Sequence, residues 1–190
     1  MSEANPLNHA HDLDRIAAAR CPPSIRFKLS DAEAASDEWN FNCGPGALCA
    51  ALNLTPAEIR PHMGDFESKG YTNPTLMFQV LQRFKGQYRL IYRSDDPRGT
   101  VPDIEHGLMR IQWGGRWTNP GVPMSVRYRK THWVALTRQS SFVFDVNAVC
   151  SGGWLSYAEW ATRLIPWLML ECVPEGDGRW WPTHVIELPI

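Results

Sequence analysis

Apolar residues in the first half of the chain follow helical patterns. The stretch ALCAAL at 47–52 is apolar on every side of a helix, a pattern typical of a buried helix. Pro45 stands just before it, where proline is favoured at the start of a helix. We therefore predict a buried helix over about residues 45–53, with Cys43 at or just before its N-terminus.

Short motifs that place a capping residue at a helix start predict three further helices. The sequence TPAE at 55–58 is a capping box with proline at the first helical position, and its helix should end at about His62. The sequence TNP at 72–74 precedes apolar residues spaced for a helix over 74–85. A second capping box, SYAE at 156–159, predicts a helix that runs to about Glu171.

The second half of the chain shows mainly the pattern of β-strands. Five segments alternate apolar and polar residues or are rich in β-branched and aromatic ones: 88–93, 107–113, 131–138, 142–146 and 183–188. Residues 139–141 are few enough to join the third and fourth of these strands as a hairpin. Helices followed by mostly antiparallel strands predict an α+β fold.

We predict a single domain that follows an N-terminal appendage. The chain has 190 residues, 44% of them apolar and 21% charged, which is ordinary globular composition, and it shows no internal repeat. Residues 1–30 are the predicted appendage, with a short helix over 12–20 before a Cys-Pro-Pro breaker. Residues 31–190 are the predicted catalytic domain, which opens with a polar and acidic segment at 31–42.

Charge and composition limit the partners and the location that we expect for the protein. The formal net charge of −1 gives no general attraction to nucleic acid or to membranes, and we expect neither as a partner. No segment approaches the roughly 20 apolar residues of a membrane span, and the N-terminus lacks the apolar stretch of a secretory signal, so we expect a cytoplasmic protein. The basic stretch at 110–138 holds six Arg or Lys residues and no acidic one, which would suit an acidic substrate or a polyanion. Solvated strand faces commonly show the same pattern, and we prefer that interpretation.

The five cysteines have the pattern neither of a metal site nor of a disulfide framework. They are scattered without a Cys-x-x-Cys pair, and no Cys/His cluster has ligand spacing, so we expect no metal and no other cofactor. Cys49, inside the apolar helix, is interpreted as a core residue. Cys43 differs, because a helix N-terminus lowers the pKa of a thiol and Gly44 leaves the backbone open to a substrate. It is the candidate nucleophile and needs a base held by a third group.

His132 is the candidate base. It stands at the start of the apolar strand 131–138, and Asp145 ends the strand that follows. A hairpin with a short turn lays these two positions side by side near its open end. Asp145 then accepts the ring N–H of His132 and fixes its tautomer. Asn147, on the same face as Asp145, is the alternative orienting residue.

Three motifs together resemble those of papain-like cysteine peptidases, most closely the bacteriocin-processing branch. They are Asn-Cys-Gly-Pro-Gly-Ala-Leu at 42–48, His-Trp-Val-Ala at 132–135 and Phe-Asp-Val-Asn at 144–147. The resemblance implies a papain-like fold, in which the buried helix that bears the cysteine packs on a mostly antiparallel β-sheet. It also implies an acyl-enzyme on Cys43, with His132 as base and acid, and a peptide or protein as substrate.

One position departs from the family pattern. The family carries a glutamine about six residues before the cysteine as an oxyanion donor, and this chain has Asp37 there. A carboxylate repels an oxyanion, whereas the side-chain amides of Asn40 and Asn42 have the N–H groups that a donor needs. We therefore expect Asn40 or Asn42 to replace the glutamine.

Three functions stay open at the level of sequence. The first is a hydrolase that cleaves a peptide, isopeptide or related amide bond. The second is an acyltransferase of the same fold, which uses an amine in place of water as acceptor. The third is a catalytically inactive papain-like scaffold that binds a partner, and Asp37 is the feature that favours it. The sequence gives no indication of the oligomeric state.

Tryptophan is unusually frequent, with nine residues, and eight of them follow residue 112. Trp160 and Trp167 fall on one face of the predicted helix and are assigned to the core. A second group is predicted to surround the cleft and to bind substrate: Trp39, Trp113, Trp117 and Trp133.

Overall fold

The computed structural model describes residues 26–84, 87–94, 96–100, 102–137 and 141–189. In this part of the chain six strands form one sheet, in which every neighbouring pair is antiparallel. The strands are β1 (Arg89–Arg93), β2 (His106–Gly115), β3 (Thr131–Thr137), β4 (Phe142–Phe144), β5 (Trp154–Ser156) and β6 (Gly176–Glu187). Their order across the sheet is β1-β6-β2-β3-β4-β5.

Helices precede and flank this sheet. Within the described residues they are α1 (Leu29–Trp39), α2 (Cys43–Leu52), α3 (Pro56–Ile59), α4 (Phe66–Lys69), α5 (Pro74–Phe84), α6 (Met124–Arg127), α7 (Tyr157–Glu159) and α8 (Ile165–Cys172). Short 3₁₀ turns cover Arg60–His62, Arg116–Thr118 and Val149–Ser151. Across these described segments, no helix combines the length and apolar character needed to span a membrane.

The predicted α+β class is confirmed, and most predicted elements lie within a few residues of the observed ones. The capping boxes are present at Thr55 and Ser156, each with its glutamate three residues on. The predicted strand at 142–146 is shorter than expected and ends at Phe144, whereas the last strand begins earlier, at Gly176. Strands β3 and β4 pair as predicted, although most of their connecting turn lies outside the described residues.

Helix α1 was missed in the polar segment at 31–42. Its buried residues are Ala32, Ala35 and Trp39, which follow one helical face. Two of these three are alanines, so the apolar face is narrow and the acidic residues around it dominate the pattern. The helix ends at Asn40, whose φ of 61° is the left-handed conformation that closes a helix.

The predicted appendage remains a prediction, because residues 1–25, with the predicted helix at 12–20, lie outside the described part of the chain. Just after them, Phe27 is buried in the core. Its ring centroid lies 5.7 Å from that of Phe41 and 5.4 Å from that of Phe144. Packing of the described chain therefore begins before residue 31.

The sheet is buried on both faces. Successive side chains of a strand point to opposite faces, so β3 sends Trp133 and Ala135 to one hydrophobic core and Val134 and Leu136 to the other. Helices α1, α2 and α5 contribute to the first core. The second core holds Trp160 and residues of α8. Burial on two faces explains why the four consecutive residues of β3 from Trp133 to Leu136 are all apolar.

The assignment of both Trp160 and Trp167 to the core is wrong for Trp167. Trp160 is fully buried, but Trp167 is 50% exposed. Between them the helix forms a π-helical segment, Trp160–Leu164, directly before Pro166. Proline lacks an N–H and its ring crowds the carbonyl four residues earlier, which accounts for the wider turn. The wider turn rotates the later residues, so a spacing of seven no longer keeps them on one face.

Candidate active site

Cys43 is the first residue of helix α2, and the side chain before it fixes the start of the helix. Asn42 caps the helix through its Oδ1, which accepts a hydrogen bond from the N–H of Gly44 at 3.3 Å. The helix behind is buried along most of its length. The Cys43 thiol, half-buried at this end, is therefore held at a fixed point on the wall of a cleft.

Gly44 is required by close packing. A Cβ atom at this position would lie 2.0 Å from Oγ1 and 2.5 Å from Cβ of Thr72. Only glycine lets the chain around Thr72 approach the first turn of α2 this closely. The glycine after the nucleophile therefore brings a second segment of the chain against the site.

The structure brings His132 and Asp145 together, as the hairpin predicted. Nε2 of His132 lies 2.8 Å from Oδ2 of Asp145, and both side chains are buried. Strand β4 ends at Phe144, and the chain then turns, with the N–H of Ala148 bonded to the carbonyl of Asp145. This turn directs the carboxylate towards the start of β3.

His132 and Cys43 interact through their charges and side chains, and each shifts the pKa of the other. Nε2 of His132 faces Asp145, which leaves Nδ1 as the ring nitrogen for that interaction. The three side chains thus form one connected series from the thiol through the imidazole to the carboxylate. This is the arrangement that activates a thiol and orients its base.

Asp145 accepts hydrogen bonds at both of its carboxylate oxygens. Besides His132, its Oδ2 accepts the indole N–H of Trp160 at 2.9 Å. Its Oδ1 accepts the backbone and side-chain N–H groups of Asn147 at 3.0 and 2.9 Å. The alternative prediction, in which Asn147 orients His132, therefore does not match the structure. Asn147 holds Asp145 in place, and Asp145 orients the histidine.

Tryptophan rings close off the buried side of the His132–Asp145 pair. The ring centroid of Trp113 lies 6.0 Å from that of His132, at an interplanar angle of 31°. Trp113 and Trp160 are both buried. They keep bulk water from the ion pair, which strengthens the interaction between its charges.

The charges of the site favour a thiolate and an imidazolium. Burial alone would raise the pKa of the Cys43 thiol, but the positive charge and hydrogen bond of His132, together with the backbone N–H of Trp133, outweigh it and lower that pKa. Burial alone would lower the pKa of His132, yet the negative charges of Asp145 and Cys43 raise it well above its ordinary value. Burial alone would raise the pKa of Asp145, but the charge of His132 leads the interactions that lower it.

Cys43 and His132 face an open cleft of about 1690 Å³. Helix α1 and the segment 70–75 form part of its wall. Strands β1, β2, β3 and β6 contribute further residues, and so does the loop before β3. The exposed side chains of Tyr71 and Val149 also belong to the lining. The nucleophile is therefore open to a substrate as long as a peptide.

The two asparagines proposed as oxyanion donors have other contacts. Asn40 donates its Nδ2 hydrogen bond to the carbonyl of Glu67 at 3.2 Å and does not belong to the lining of the cleft. Asn42 lines the cleft, but its Nδ2 donates to the carbonyl of Gly70 at 2.9 Å. Both amides hold the chain around residues 67–70. The expectation that one of them replaces the glutamine is therefore not supported, and Asp37 is exposed outside the cleft lining.

Thr72 is a polar residue at the site that the sequence did not single out as functional. It lines the cleft with Cys43, is only 7% exposed, and its Oγ1 has no hydrogen-bond partner among the described residues. A buried hydroxyl without a partner is unfavourable unless a ligand satisfies it. The one signal in the sequence is its TNP motif, which indicated only a helix start. Its closeness to Gly44 depends on the tertiary fold.

Three of the four tryptophans predicted to bind substrate are not in the lining of the cleft. Trp39 packs in the first core, 5.3 Å from Phe41 between ring centroids. Trp113 and Trp117 lie in the second core, where the indole N–H of Trp117 bonds the carbonyl of Trp113. Trp133 does line the cleft, and its indole N–H bonds the carbonyl of Thr72 at 3.0 Å. The prediction placed these rings by sequence proximity, whereas their burial depends on strand alternation and layer packing.

Metal ligation finds no support in the described residues. No group of three or more His, Cys, Asp or Glu side chains there is arranged to hold a metal ion. Cys49 is buried in helix α2, and Cys150 and Cys172 are exposed. Of these four thiols, Cys43 is the one that contacts a histidine.

Comparison with known proteins assigns no family to the chain. Scans against protein-family models, curated proteins and solved structures each gave no match. The chemistry of the site therefore has to be inferred from its own geometry.

Proposed function

We propose that the protein is a papain-like cysteine hydrolase that cleaves a peptide, isopeptide or related amide bond through an acyl-enzyme on Cys43. The observation that carries the proposal is the connected series of Cys43, His132 and Asp145 at the wall of an open cleft. The papain-like fold is part of the proposal. It is supported by the order Cys, His, Asp and by the packing of the Cys-bearing helix against β3 of an antiparallel sheet.

The reaction begins from the thiolate and imidazolium pair. The sulfur of Cys43 attacks the amide carbonyl and forms a tetrahedral oxyanion, while His132 gives its Nδ1 proton to the departing amine. The C–N bond then breaks and leaves a thioester on Cys43. Water, deprotonated by His132, attacks the thioester, the C–S bond breaks, and the thiolate returns with release of the acid.

Two groups at the first turn of α2 are suited to hold the oxyanion. One is the backbone N–H of Cys43, which stands at the helix N-terminus, where N–H groups have no partner within the helix. The other is the hydroxyl of Thr72, which packs beside Gly44, has no described partner and, because its oxygen is closed to solvent, must turn towards the cleft when substrate binds. In this proposal Thr72 supplies the hydrogen bond that the family glutamine supplies elsewhere.

An inactive binding scaffold is the second candidate, favoured by one observation. The amides of Asn40 and Asn42 both donate to backbone carbonyls, so the site lacks the amide donor of the family pattern. The buried, multiply bonded Asp145 argues against it, because a binding surface does not require an ion pair at the cysteine.

The reactivity of Cys43 tests the proposal before any substrate is known. We expect iodoacetamide to alkylate Cys43 at pH 6 at least about 10-fold faster than the exposed Cys150 and Cys172, because His132 lowers the pKa of the Cys43 thiol and the thiolate is the reactive form. Peptide mass spectrometry after timed quenching gives all three rates from one sample. A Cys43 rate at pH 6 no higher than the rates of the two exposed thiols would contradict the proposal.

A reactive Cys43 would not show which molecule accepts the acyl group, water or an amine. With p-nitrophenyl acetate as the acyl donor, added glycinamide distinguishes a hydrolase from an acyltransferase. Acetate as the main product supports the hydrolase. Acetylglycinamide as the main product indicates an acyltransferase, which uses the same acyl-enzyme.

A further inference from the structure

Three arginines line the same cleft as Cys43. The described lining contains Arg93, Arg110 and Arg129, and its one carboxylate is that of Glu33. The charge of the cleft is therefore positive, although the whole chain has a formal net charge of −1. A cleft lined by charges of one sign focuses the electric field and concentrates ligands of the opposite sign.

Two of these arginines belong to one row of side chains across the sheet. Arg93 on β1 stands opposite His184 on β6. His184 stands opposite Arg110 on β2, and Arg110 stands opposite Trp133 on β3. Directly opposite residues share a face of the sheet, and all four line the cleft. Trp133 lines the cleft together with Cys43, and its backbone N–H helps to lower the pKa of that thiol, so the row begins beside the nucleophile.

The guanidinium of Arg110 is fixed within the wall of the cleft. Arg110 is only 4% exposed, so the interpretation of the basic stretch at 110–138 as solvated is wrong at this residue. Its Nη2 donates to the carbonyl of Tyr128 at 3.3 Å and to Oγ1 of Thr131 at 3.2 Å. Its Cζ lies 5.4 Å from the ring centroid of Tyr128. A guanidinium that is already held in place loses little entropy when it binds a carboxylate.

Arg93 and Arg129 are exposed and flank the buried Arg110 from the edge strand and from the loop before β3. Among the ion pairs of the described residues, none includes either of them. Their guanidinium groups are therefore available to a ligand in the cleft, where a planar fork suits a carboxylate.

We propose that the cleft takes peptides that carry acidic side chains near the scissile amide, bound by Arg110 and Arg93 along the sheet and by Arg129 from the facing loop. This inference rests on the proposed function of Cys43. Strands lie about 5 Å apart, so Arg110 and Arg93 are one and three strands, or roughly 5 and 15 Å, from Trp133. An extended peptide covers these distances in about two and about four residues. The acidic side chains of the peptide are therefore expected at about the second and the fourth residue from the scissile amide.

Two pairs of peptide chloromethyl ketones test the positions separately. In acetyl-Glu-Ala-chloromethyl ketone the acid is the second residue from the reacting group, and in acetyl-Glu-Ala-Ala-Ala-chloromethyl ketone it is the fourth. Each has a partner with Gln in place of Glu. The thiolate of Cys43 displaces chloride and forms a thioether, which mass spectrometry quantifies. At low ionic strength we expect the Glu member of the shorter pair, which meets Arg110 and Arg129, to react about 10-fold faster, at about 0.7 kcal/mol for each charge-assisted contact. The Glu member of the longer pair meets Arg93 alone and should react about threefold faster.

The arginine variants assign each preference to its side chain. Arg110→Gln and the exposed Arg129→Gln should reduce the preference of the shorter pair about threefold or more, and Arg93→Gln should do so for the longer pair. Arg83→Gln, an exposed arginine outside the cleft lining, is the matched control and should change neither preference. If Arg110→Gln fails to fold, the variants at the exposed Arg93 and Arg129 still test the proposal.

The outcomes separate this inference from the proposed function. Fast alkylation of Cys43 with equal Glu and Gln rates would overturn the inference and leave the hydrolase proposal standing. Slow alkylation by all four probes and by iodoacetamide would contradict the hydrolase proposal itself. A single-stranded oligothymidylate that protects Cys43 at lower concentration than a Glu-containing peptide of equal charge would overturn the choice of an acidic peptide in favour of nucleic acid.

Discussion

Helix α2 carries two cysteines whose surroundings shift the pKa values of their thiols in opposite directions. Burial raises the pKa of Cys49, and the negative charges of Glu58 and Asp31 raise it further. Burial acts in the same direction on Cys43, but the charge and hydrogen bond of His132 outweigh it, and the pKa of that thiol is lowered. The two residues share one helix, so the difference arises from what each thiol contacts.

The comparison indicates that the contacts of a thiol, and not the helix that carries it, set the direction of its pKa shift. Cys43 is half-buried, and without its partner it would meet the same cost of desolvation that keeps Cys49 neutral. The activation depends on a histidine that Asp145 in turn holds in place. Substitutions that remove His132 should raise the pKa of Cys43, as burial raises that of Cys49. Substitutions away from His132 and Asp145 should leave the pKa of Cys43 unchanged.

The largest expected effect is that of His132→Ala. Burial then acts unopposed, so the pKa of Cys43 rises, and its alkylation by iodoacetamide at pH 6 should fall on the order of 10²-fold. The rate at Cys172, which is exposed at the end of α8 and outside the cleft lining, should stay the same and serves as the internal control. An unchanged Cys43 rate would mean that the helix terminus alone activates the thiol.

Thr72→Val should distinguish an effect on the oxyanion from an effect on the Cys43 thiolate. The variant keeps the shape of the side chain and removes the hydroxyl, so acylation by p-nitrophenyl acetate should fall about 10²-fold, as for loss of one oxyanion donor. Alkylation of Cys43 by iodoacetamide forms no oxyanion and should not change. Thr72→Ser retains the hydroxyl and should keep most of the acylation rate. Equal losses of acylation and alkylation in the valine variant would indicate that Thr72 acts on the thiol or its placement instead.

Local chemistry explains which elements the sequence predicted. Helices α3 and α7 follow from capping boxes at Thr55 and Ser156, because a capping box is complete within four residues. The start of α2 at Cys43 follows from proline, glycine and the apolar residues behind them. The pairing of His132 with Asp145 needs only one hairpin, so it too was predictable from neighbouring segments.

What the sequence missed depends on contacts between distant segments. An asparagine before a helix is equally suited to cap it or to donate into a cleft, and only the fold shows that Asn42 caps α2 and bonds Gly70. Thr72 reaches the site because Gly44 has no side chain, a contact that no local pattern reveals. The hydrogen bond from Trp160 to Asp145 likewise joins residues 15 apart that lie in different elements, so no local pattern reveals it.

Two glycines of α2 give a smaller, structural test of the site. Gly44→Ala places a methyl group 2.0 Å from Oγ1 of Thr72, so we expect a loss of about 1–3 kcal/mol in the free energy of unfolding, typical of overpacking. Gly46→Ala is the matched control, since its methyl would lie 3.4 Å from the nearest atom, on Val146, and alanine favours a helix by up to about 1 kcal/mol. Urea unfolding of both variants measures the difference. A Gly44→Ala protein as stable as Gly46→Ala would show that Thr72 moves away easily and does not define the site.

The pH dependence of stability gives the smallest effect, about 1.4 kcal/mol per pH unit for each proton that folding takes up or releases. The ordinary pKa values of His132 and Cys43 are 6.5 and 9, and between them the unfolded pair holds one proton. Where the folded pair is a thiolate and an imidazolium it also holds one proton, so there the pair adds no slope. Below 6.5 the unfolded histidine gains a proton while the folded thiolate does not, so stability falls as the pH is lowered. Above 9 the unfolded thiol has lost its proton while the folded imidazolium keeps its own, and stability falls as pH rises.

Cys43→Ala should move both edges of that plateau, which is what distinguishes an ion pair from two independent groups. His132 still has its pKa raised by Asp145, so its contribution is complete below 6.5 and is lost as pH rises from there through its higher folded pKa. The acid edge near 6.5 should disappear, and the alkaline edge should move down from about 9 to about 6.5. Urea unfolding at intervals of half a pH unit from 5 to 10 measures both curves. Cys49 keeps its raised pKa in both proteins, so its contribution cancels in their difference, and identical edges in the two curves would show that Cys43 is neutral when folded.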